Sequence, residues 1–249
     1  GFVAGKVLVR TALPAPLFGV WPIMLGTLWV RLAAIIIALP FALSAAVYLS
    51  EIANKRLYKF LKPAIELLSG IPSVVYGFFG LVVIVPIIQK TFGLDVGETA
   101  LSGAIILAIM ALPTIITIAE DAMRATPDSL REASLALGAN RWQTIYKVVI
   151  PHAKSGITAG VVLGIGRAIG ETMAVLMVCG NAAVMPHTLL EPIRTIPASI
   201  AAELGEAPNG GAHYQALFML ACILFIITLL INLIVDYIQN KGTIKQKSK

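Results

Sequence analysis

The amino-acid sequence predicts an all-α protein that crosses a membrane several times. Hydrophobic residues make up 58% of its 249 residues and charged residues only 13%, whereas an ordinary soluble domain has about 25% charged residues. Mean hydropathy is +0.88, and a soluble fold of this size could not bury so much apolar side chain. The same composition excludes a disordered chain, a collagen-like repeat and a small disulfide-rich secreted domain.

Five apolar runs are long enough to span a membrane, which takes about 20 mostly apolar residues per helix. They cover residues 22–50, 71–90, 100–119, 155–180 and 214–238. Pro40, Pro86 and Pro113 lie inside such runs, where neighbouring helices can satisfy the freed backbone groups. The amphipathic segment 51–68 predicts a helix on the membrane surface. No repeat or soluble domain interrupts the series, so residues 1–249 are predicted to form a single transmembrane domain.

Basic residues are distributed unevenly between the two sides of the predicted membrane. Thirteen lie on one side: Lys55, Arg56, Lys59, Lys62, Arg124, Arg131, Arg141, Lys147, Lys154, Lys241, Lys245, Lys247 and Lys249. Four lie on the other side (Lys6, Arg10, Lys90 and Arg194), and Arg31 and Arg167 fall within spans. Because cytoplasmic loops carry the excess of Lys and Arg, the C-terminus is predicted to be cytoplasmic and Gly1 to lie outside. The net charge of +6 then reflects topology and contact with membrane lipid, and nucleic acid is not an expected partner.

Residues that could hold a metal or carry out bond chemistry are few. Cys179 and Cys222 lie inside apolar runs, and the three histidines have no ligand spacing. We therefore predict no metal site, no cofactor and no catalytic residue.

The longest polar segment on the predicted cytoplasmic side covers residues 120–156. Asp128 or Ser129 can cap a short helix, and Gly138 can end it because glycine tolerates a positive φ. A second short helix is predicted to stop at Pro151. Two short helices joined by a glycine turn would form a compact knob, which could dock on a partner protein or pack against lipid headgroups.

The spacing within this segment resembles the EAA loop of ABC importer permeases. The matching residues are Glu132, Ala133, Ser134, Gly138, Val148, Ile150 and Pro151, against a family pattern of E-A-A, three residues, G, nine residues, I, one residue, L-P. The resemblance implies a coupling element that inserts into an ATP-binding subunit, with Glu132, Ala133, Gly138 and Pro151 as its coupling residues. No Walker motif occurs in the sequence, so ATP hydrolysis is expected on that separate subunit.

The fourth apolar run carries two charges on a stripe of small residues. At about 100° per residue, the stripe contains Gly156, Gly160, Gly164, Arg167, Glu171 and Ala174. Small residues four apart allow helices to approach closely, and charges at membrane depth are expected to face protein or water. Arg167 and Glu171 are four residues apart and can pair. Such a pair could fasten two helices, or Arg167 could offer hydrogen bonds to a passing oxyanion.

Four segments resemble phosphate importer permeases of the PstC type. They are GIGRAIGETMAVLMVCGN, IPSVVYGFFGLVVIVP, AMRATPDSLREASLALGANRWQT and ASIAAELGEA, and the likeness extends from about Gly26 to Asp236. The resemblance implies the type I ABC importer permease (MetI-like) fold, with the first of six spans missing from this chain. It also implies that Arg167 and Glu171 take part in phosphate translocation. Arg31 departs from the Ser or Thr expected in that family.

By this resemblance the chain is a non-enzymatic permease subunit of an ATP-driven phosphate importer in the cytoplasmic (inner) membrane of a bacterium or archaeon. Its expected partners are a second, PstA-type permease, a dimer of cytoplasmic ATP-binding subunits and a periplasmic or extracellular phosphate-binding protein. Charge and motif class leave open a permease for another oxyanion, such as sulfate or molybdate. A passive anion channel is the less favoured alternative, because a channel has no use for an ATPase-docking loop.

The outer segment 181–213 contains a predicted short helix at 197–204 and the carboxylates Glu203 and Glu206. One interpretation is a surface plug with a re-entrant helix. The other, implied by the family, is a docking face for the binding protein. The two interpretations are compatible.

Overall fold

The computed structural model describes residues 21–182 and 185–247, with side chains described as far as Leu230 and at Leu233. The regular structure of this part of the chain is helical, apart from one isolated bridge between Gly180 and Ile193, which confirms the all-α prediction. The helices are α1 Trp21–Val47, α2 Lys55–Ser69, α3 Ser73–Phe79, α4 Val85–Phe92, α5 Ala100–Arg124, α6 Asp128–Ala136, α7 Arg141–Thr144, α8 Ile150–His152, α9 Lys154–Gly170, α10 Met173–Val178, α11 Ile196–Glu203 and α12 Ala212–Lys247. Short π-helical turns cover Tyr48–Ile52, Gly80–Ile84 and Ile145–Val149.

Among the described residues, four helical segments are long and apolar enough to cross a membrane: Trp21–Ile52, Ser73–Phe92, Ala100–Arg124 and Ala212–Leu230. A fifth candidate is a bent pair, in which Arg141–His152 and Lys154–Gly170 meet at 70°. The four single segments agree in position with four of the predicted runs, whereas the bent pair overlaps the predicted run 155–180 only over residues 155–170.

The fourth span differs from its prediction. A continuous helix over 155–180 is wrong, because α9 ends at Gly170 and α10 begins only at Met173. Glycine is a poor helix former, and the carboxylate of Glu171 accepts a hydrogen bond from the Ala174 N–H (3.2 Å). The break therefore supplies its own capping group.

The described residues divide into two compact units. The first contains the described parts of Gly1–Ile37, Ile71–Met110 and Ala168–Ile231, and the second those of Ala38–Gly70, Ala111–Arg167 and Asn232–Lys249. The single transmembrane domain expected over residues 1–249 stays a prediction.

The first unit has a core in which α3 and α10 pack closely. Its buried residues include Ala34, Tyr76, Ile106 and Val178. A Cβ built on Gly80 would lie 2.7 Å from Ile106 Cγ1, so glycine is what allows this approach. A second cluster of this unit joins α1, α11 and α12 through Ile23, Ile196, Leu217 and Leu220. Helix α11 confirms the short helix predicted at 197–204.

The second unit has a core of small and medium-sized residues, namely Ala46, Ala119, Met123, Val149 and Ala153. Helix α2 confirms the helix predicted within segment 51–68. It begins after Asn54, whose side chain accepts a hydrogen bond from the Leu57 N–H (2.8 Å), as expected of an N-cap residue.

Candidate translocation site and coupling surface

The small-residue stripe of α9 packs against α5, which agrees with the predicted close approach of a neighbouring helix. A Cβ built on Gly160 would lie 3.1 Å from Ile118 Cβ, and one on Gly156 or Gly164 would overlap Ala122 or Ile115. Glycine at these positions lets the two helices approach more closely than larger residues would. The stripe thus places Arg167, one turn beyond Gly164, against α5.

Arg167 is anchored by uncharged groups. Its Nη2 donates to the backbone carbonyl oxygen of Ser69 (2.9 Å) and its Nη1 to Thr114 Oγ1 (3.4 Å). Ser69 is the last residue of α2, and the carbonyl end of a helix carries partial negative charge. These contacts fix the guanidinium without cancelling its charge.

The predicted pairing of Arg167 with Glu171 assumes a continuous helix, and that premise is wrong. Because α9 ends at Gly170, the two residues do not lie on successive turns of one helix. Glu171 instead caps the start of α10 through Ala174. No local pattern indicates Ser69 or Thr114 as partners, since Ser69 lies 98 residues from Arg167 in the chain.

The half-buried Arg167 keeps donor capacity for a ligand. A guanidinium carries more N–H groups than the two bonds use, and no other partner for it is found among the described residues. A planar, permanently charged fork of donors suits the oxygens of an oxyanion. The arrangement can therefore bind an anion while the backbone and hydroxyl contacts hold the cation in place.

The polar segment 120–156 folds as two short helices joined by a glycine turn, as predicted. Gly138 has φ +82°, and a Cβ added there would meet nothing within 4 Å, so the role of this glycine is conformational. Asn140 and Gln143 then form a capping box that starts the second helix.

Two details of this segment correct the sequence predictions. Neither Asp128 nor Ser129 is the N-cap, because α6 begins at Asp128 and follows Pro127, which makes no side-chain cap. Asp128 instead lies in the first turn, where a negative charge suits the helix dipole. The second helix continues from α7 through the π-helical turn and α8 and ends at His152, one residue beyond the predicted stop at Pro151.

The four predicted coupling residues, Glu132, Ala133, Gly138 and Pro151, are all exposed. Large apolar side chains are exposed around them: Leu130, Leu135, Leu137, Trp142 and Tyr146, with Leu137 90% exposed. We call residues 128–152 the coupling knob. An exposed cluster of leucines and aromatic residues is typical of a surface that binds a protein partner.

The coupling knob is fastened by Arg131. Its Nη2 donates to Glu51 Oε1 (2.8 Å) and to the Met123 carbonyl oxygen (3.0 Å), and its Nη1 donates to the Thr126 carbonyl oxygen (2.8 Å). Arg131 thereby links α6 to the end of the first span and to α5. Sequence reasoning missed this link, because nothing local to Glu51 indicates a partner 80 residues away.

A second charged cluster ties α2 to the end of α5. Lys62 Nζ lies 2.5 Å from Glu120 Oε2 and 2.7 Å from Asp121 Oδ1, and Glu120 is fully buried. Burial lowers the pKa of Lys62, but the hydrogen bonds to Asp121 and Glu120 outweigh this effect and raise the pKa above its ordinary value. Lys62 therefore stays charged and anchors α2, whose last residue holds Arg167.

In the outer segment, Glu203 is buried rather than offered to a partner. It is 1% exposed and lies 2.5 Å from Arg194 Nη1 and 3.1 Å from His213 Nε2. Its carboxylate fixes the end of α11, while Glu206 is exposed. The surface plug and the docking face, which are compatible, both stay predictions.

Comparison with known proteins identifies the family. Residues 38–242 match the family described as binding-protein-dependent transport system inner membrane component. The probable ABC transporter permease protein YqgH of Bacillus subtilis is 41% identical over 226 residues, which cover 91% of this chain and 73% of that protein. The phosphate transport system permease protein PstC of Pasteurella multocida is 39% identical over 82% of this chain and 69% of that protein. The PstC protein of Mesorhizobium japonicum is 38% identical over 88% of this chain and 73% of that protein.

Solved structures agree on the fold. An inward-facing structure of the MetNI methionine ABC transporter has a TM-score of 0.64 at 22% identity and covers 90% of this chain and 94% of that chain. A bacterial ABC transporter involved in the import of alginate has a TM-score of 0.66 at 16% identity and covers 88% of this chain and 78% of that chain. The predicted importer-permease fold is confirmed, and the chain belongs to the family of inner membrane components of binding-protein-dependent transport systems.

Proposed function

We propose that this chain is the permease subunit of an ATP-driven importer of inorganic phosphate. The observation that carries the proposal is the 38–39% identity to two phosphate permeases over most of the chain. The environment of Arg167 supports it, because an anchored guanidinium with unused donors suits an oxyanion. Arg167 and Glu171 are the proposed translocation residues.

Anchoring of Arg167 by neutral groups suits a residue that contacts phosphate during transport. Ser69 and Thr114 hold Arg167 in position without competing for its charge, so the guanidinium attracts a phosphate oxygen and forms charge-assisted hydrogen bonds with it. The Ser69 contact also ties Arg167 to α2, which Lys62 fastens to α5. A movement of α2 or α5 would then change the geometry of the binding group.

Coupling to ATP would pass through the coupling knob. The family depends on a binding protein, and ABC importer permeases work with ATPase subunits. The exposed Leu137 and Trp142 supply apolar contacts for an ATPase subunit, and Arg131 transmits displacement of the knob to α5. A PstA-type second permease and a phosphate-binding protein complete the proposed assembly.

The substrate is tested by reconstituting the chain with these partner subunits in proteoliposomes and measuring uptake of radiolabelled phosphate. We expect uptake that requires ATP and is not reduced by excess sulfate or molybdate. Uptake of sulfate or molybdate in place of phosphate would identify the alternative oxyanion permease. Phosphate flux without ATP would indicate a channel.

The coupling role is tested with Gly138→Val. A β-branched residue at φ +82° is strained by about 1–3 kcal/mol, so the knob should be distorted and less phosphate should be moved per ATP hydrolysed. Gly93→Val is the matched control, because Gly93 also has a positive φ and open surroundings but lies outside the knob. An unchanged phosphate-to-ATP ratio in Gly138→Val would remove the knob from coupling.

The proposed orientation of the chain in the membrane is tested by cysteine labelling. Lys6, Arg10 and Lys249, which enter the charge count, lie outside the described residues, as do the side chains of the other tail lysines. In a Cys222→Ser background, a cysteine at exposed Asn209 should react with an impermeant maleimide in intact cells, and one at exposed Lys55 should not. The reverse pattern would overturn the proposed cytoplasmic C-terminus.

A further inference from the structure

Arg31 is a buried cation in the first span. It is 7% exposed and lies 10 residues from the start of α1. The exposed stripe of this helix is formed by Leu28, Leu32 and Ile36, whereas Thr27 and Ala34 are buried with Arg31. Arg31 therefore faces protein rather than lipid.

Nothing among the described residues neutralises this charge. Arg31 has no ion pair and no hydrogen bond to any of them. Beyond the described side chains, the sequence contains one side-chain carboxylate, that of Asp236. A guanidinium cannot be made neutral by losing its proton, and a buried charge without a partner is strongly destabilising. An anion bound beside Arg31 would offset this buried charge.

An unused hydroxyl lies in the same neighbourhood. Thr195 is 4% exposed and its Oγ1 has no hydrogen-bond partner among the described residues. The next residue, Ile196, donates its N–H to Thr27 Oγ1 (3.0 Å), and Thr27 lies one helical turn before Arg31. A Cβ on Gly26 would lie 2.7 Å from the Arg194 carbonyl oxygen, so glycine lets this segment reach α1.

We propose that Arg31 and Thr195 form an oxyanion subsite that inorganic phosphate occupies in transit. The guanidinium supplies the positive charge and charge-assisted donors, and the hydroxyl supplies a neutral donor. Both groups lie in the first unit, next to the contact between Thr27 and Ile196. The inference rests on the proposed phosphate transport and adds a second binding cation to the chain, besides Arg167.

The test uses the reconstituted importer with saturating phosphate-loaded binding protein. Two quantities are measured per assembled complex: the turnover of phosphate uptake, and the radiolabelled phosphate retained with a hydrolysis-deficient ATPase subunit. Arg31→Gln should lower both by about tenfold, because hydrogen bonds to charged groups are the stronger ones. Arg31→Lys should recover part of the loss, since it restores the charge but not the planar fork.

Thr195→Val keeps the test decisive if Arg31→Gln assembles poorly. The change keeps the shape and removes only an unpaired hydroxyl, so assembly should be normal while retained phosphate falls about threefold, as for loss of one neutral hydrogen bond. Unchanged retention in Thr195→Val and Arg31→Lys would overturn the subsite. Asp236→Asn checks the competing explanation: if it mimics Arg31→Gln and the double variant regains uptake, Arg31 is half of an internal ion pair.

Failure of the proposed function would look different. If the wild-type importer takes up sulfate or molybdate and not phosphate, the proposed substrate is wrong, and the same variants measured with the transported oxyanion decide the subsite. If wild-type phosphate uptake is normal and the Arg31 and Thr195 variants match it, the subsite alone is wrong.

Discussion

Arg167 and Arg31 both fall within predicted spans, but their surroundings differ. Arg167 is half-buried and held by the Ser69 carbonyl and the Thr114 hydroxyl. Arg31 is only 7% exposed and has no partner among the described residues. Arg167 has a fixed position and spare donors, whereas none of the donors of Arg31 is used by a residue in the described part of the chain.

The difference separates two ways of keeping a charge inside a membrane protein. Neutral hydrogen bonds satisfy Arg167 locally, so it is stable with or without a ligand and can move with α2 and α5. In the proposed subsite an anion offsets the buried charge of Arg31, so the occupancy of this subsite should be coupled to the transport cycle. Variants that remove one feature at a time test this difference between the two arginines.

The largest effect is expected for Arg167→Gln. Loss of the cation should reduce phosphate uptake by about 100-fold or more at matched membrane abundance, the scale seen when a charge-stabilising donor is removed from a reacting site. Arg167→Lys should restore little, because an ammonium cannot reach Ser69 and Thr114 together and still present a donor fork. Uptake near the wild-type rate in Arg167→Gln would leave Arg31 as the principal binding cation.

A smaller loss is expected for Glu171→Gln. The glutamine oxygen can still accept the Ala174 N–H, so the start of α10 is kept while the negative charge is removed. If the charge acts in translocation, uptake should fall by about tenfold with normal abundance, as for loss of a charged hydrogen-bond partner. Normal uptake would reduce Glu171 to a helix cap.

The packing that positions Arg167 is tested with Gly164→Ala. The added Cβ overlaps Ile115, and overpacking costs about 1–3 kcal/mol, so the abundance and thermal stability of the assembled protein should fall. Gly166→Ala is the matched control, since a Cβ there meets nothing within 4 Å. Equal stability of the two variants would argue against close packing of α9 on α5.

The smallest effect is expected for Thr114→Val. It removes the longer of the two anchoring bonds (3.4 Å), so uptake should fall by about threefold or less, in line with one neutral hydrogen bond. Thr114→Ser keeps the hydroxyl and should match the wild type. A loss as large as that of Arg167→Gln would mean that Thr114 contacts phosphate itself.

Much of this protein follows from local sequence pattern. Composition and run length predict five helical spans, because burying apolar surface in lipid demands runs of a fixed length. Glycines four residues apart predict the stripe by which α9 meets α5, and Gly138 predicts the turn of the coupling knob. These features depend on the residue types and on their near neighbours in the chain.

The identity of the distant groups that satisfy each charge depends on tertiary packing. The 98-residue separation of Arg167 from Ser69, the burial of Glu120 beneath Lys62 and the absence of a described partner for Arg31 leave no trace in the local pattern. The helix break after Gly170 is of a different kind, because it is accompanied by a local contact, the hydrogen bond from the Ala174 N–H to Glu171 that starts α10, although the apolar run continues to residue 180. Hydrophobic periodicity determines which segments are helices, but the partner of a polar group depends on how segments far apart in the chain pack together.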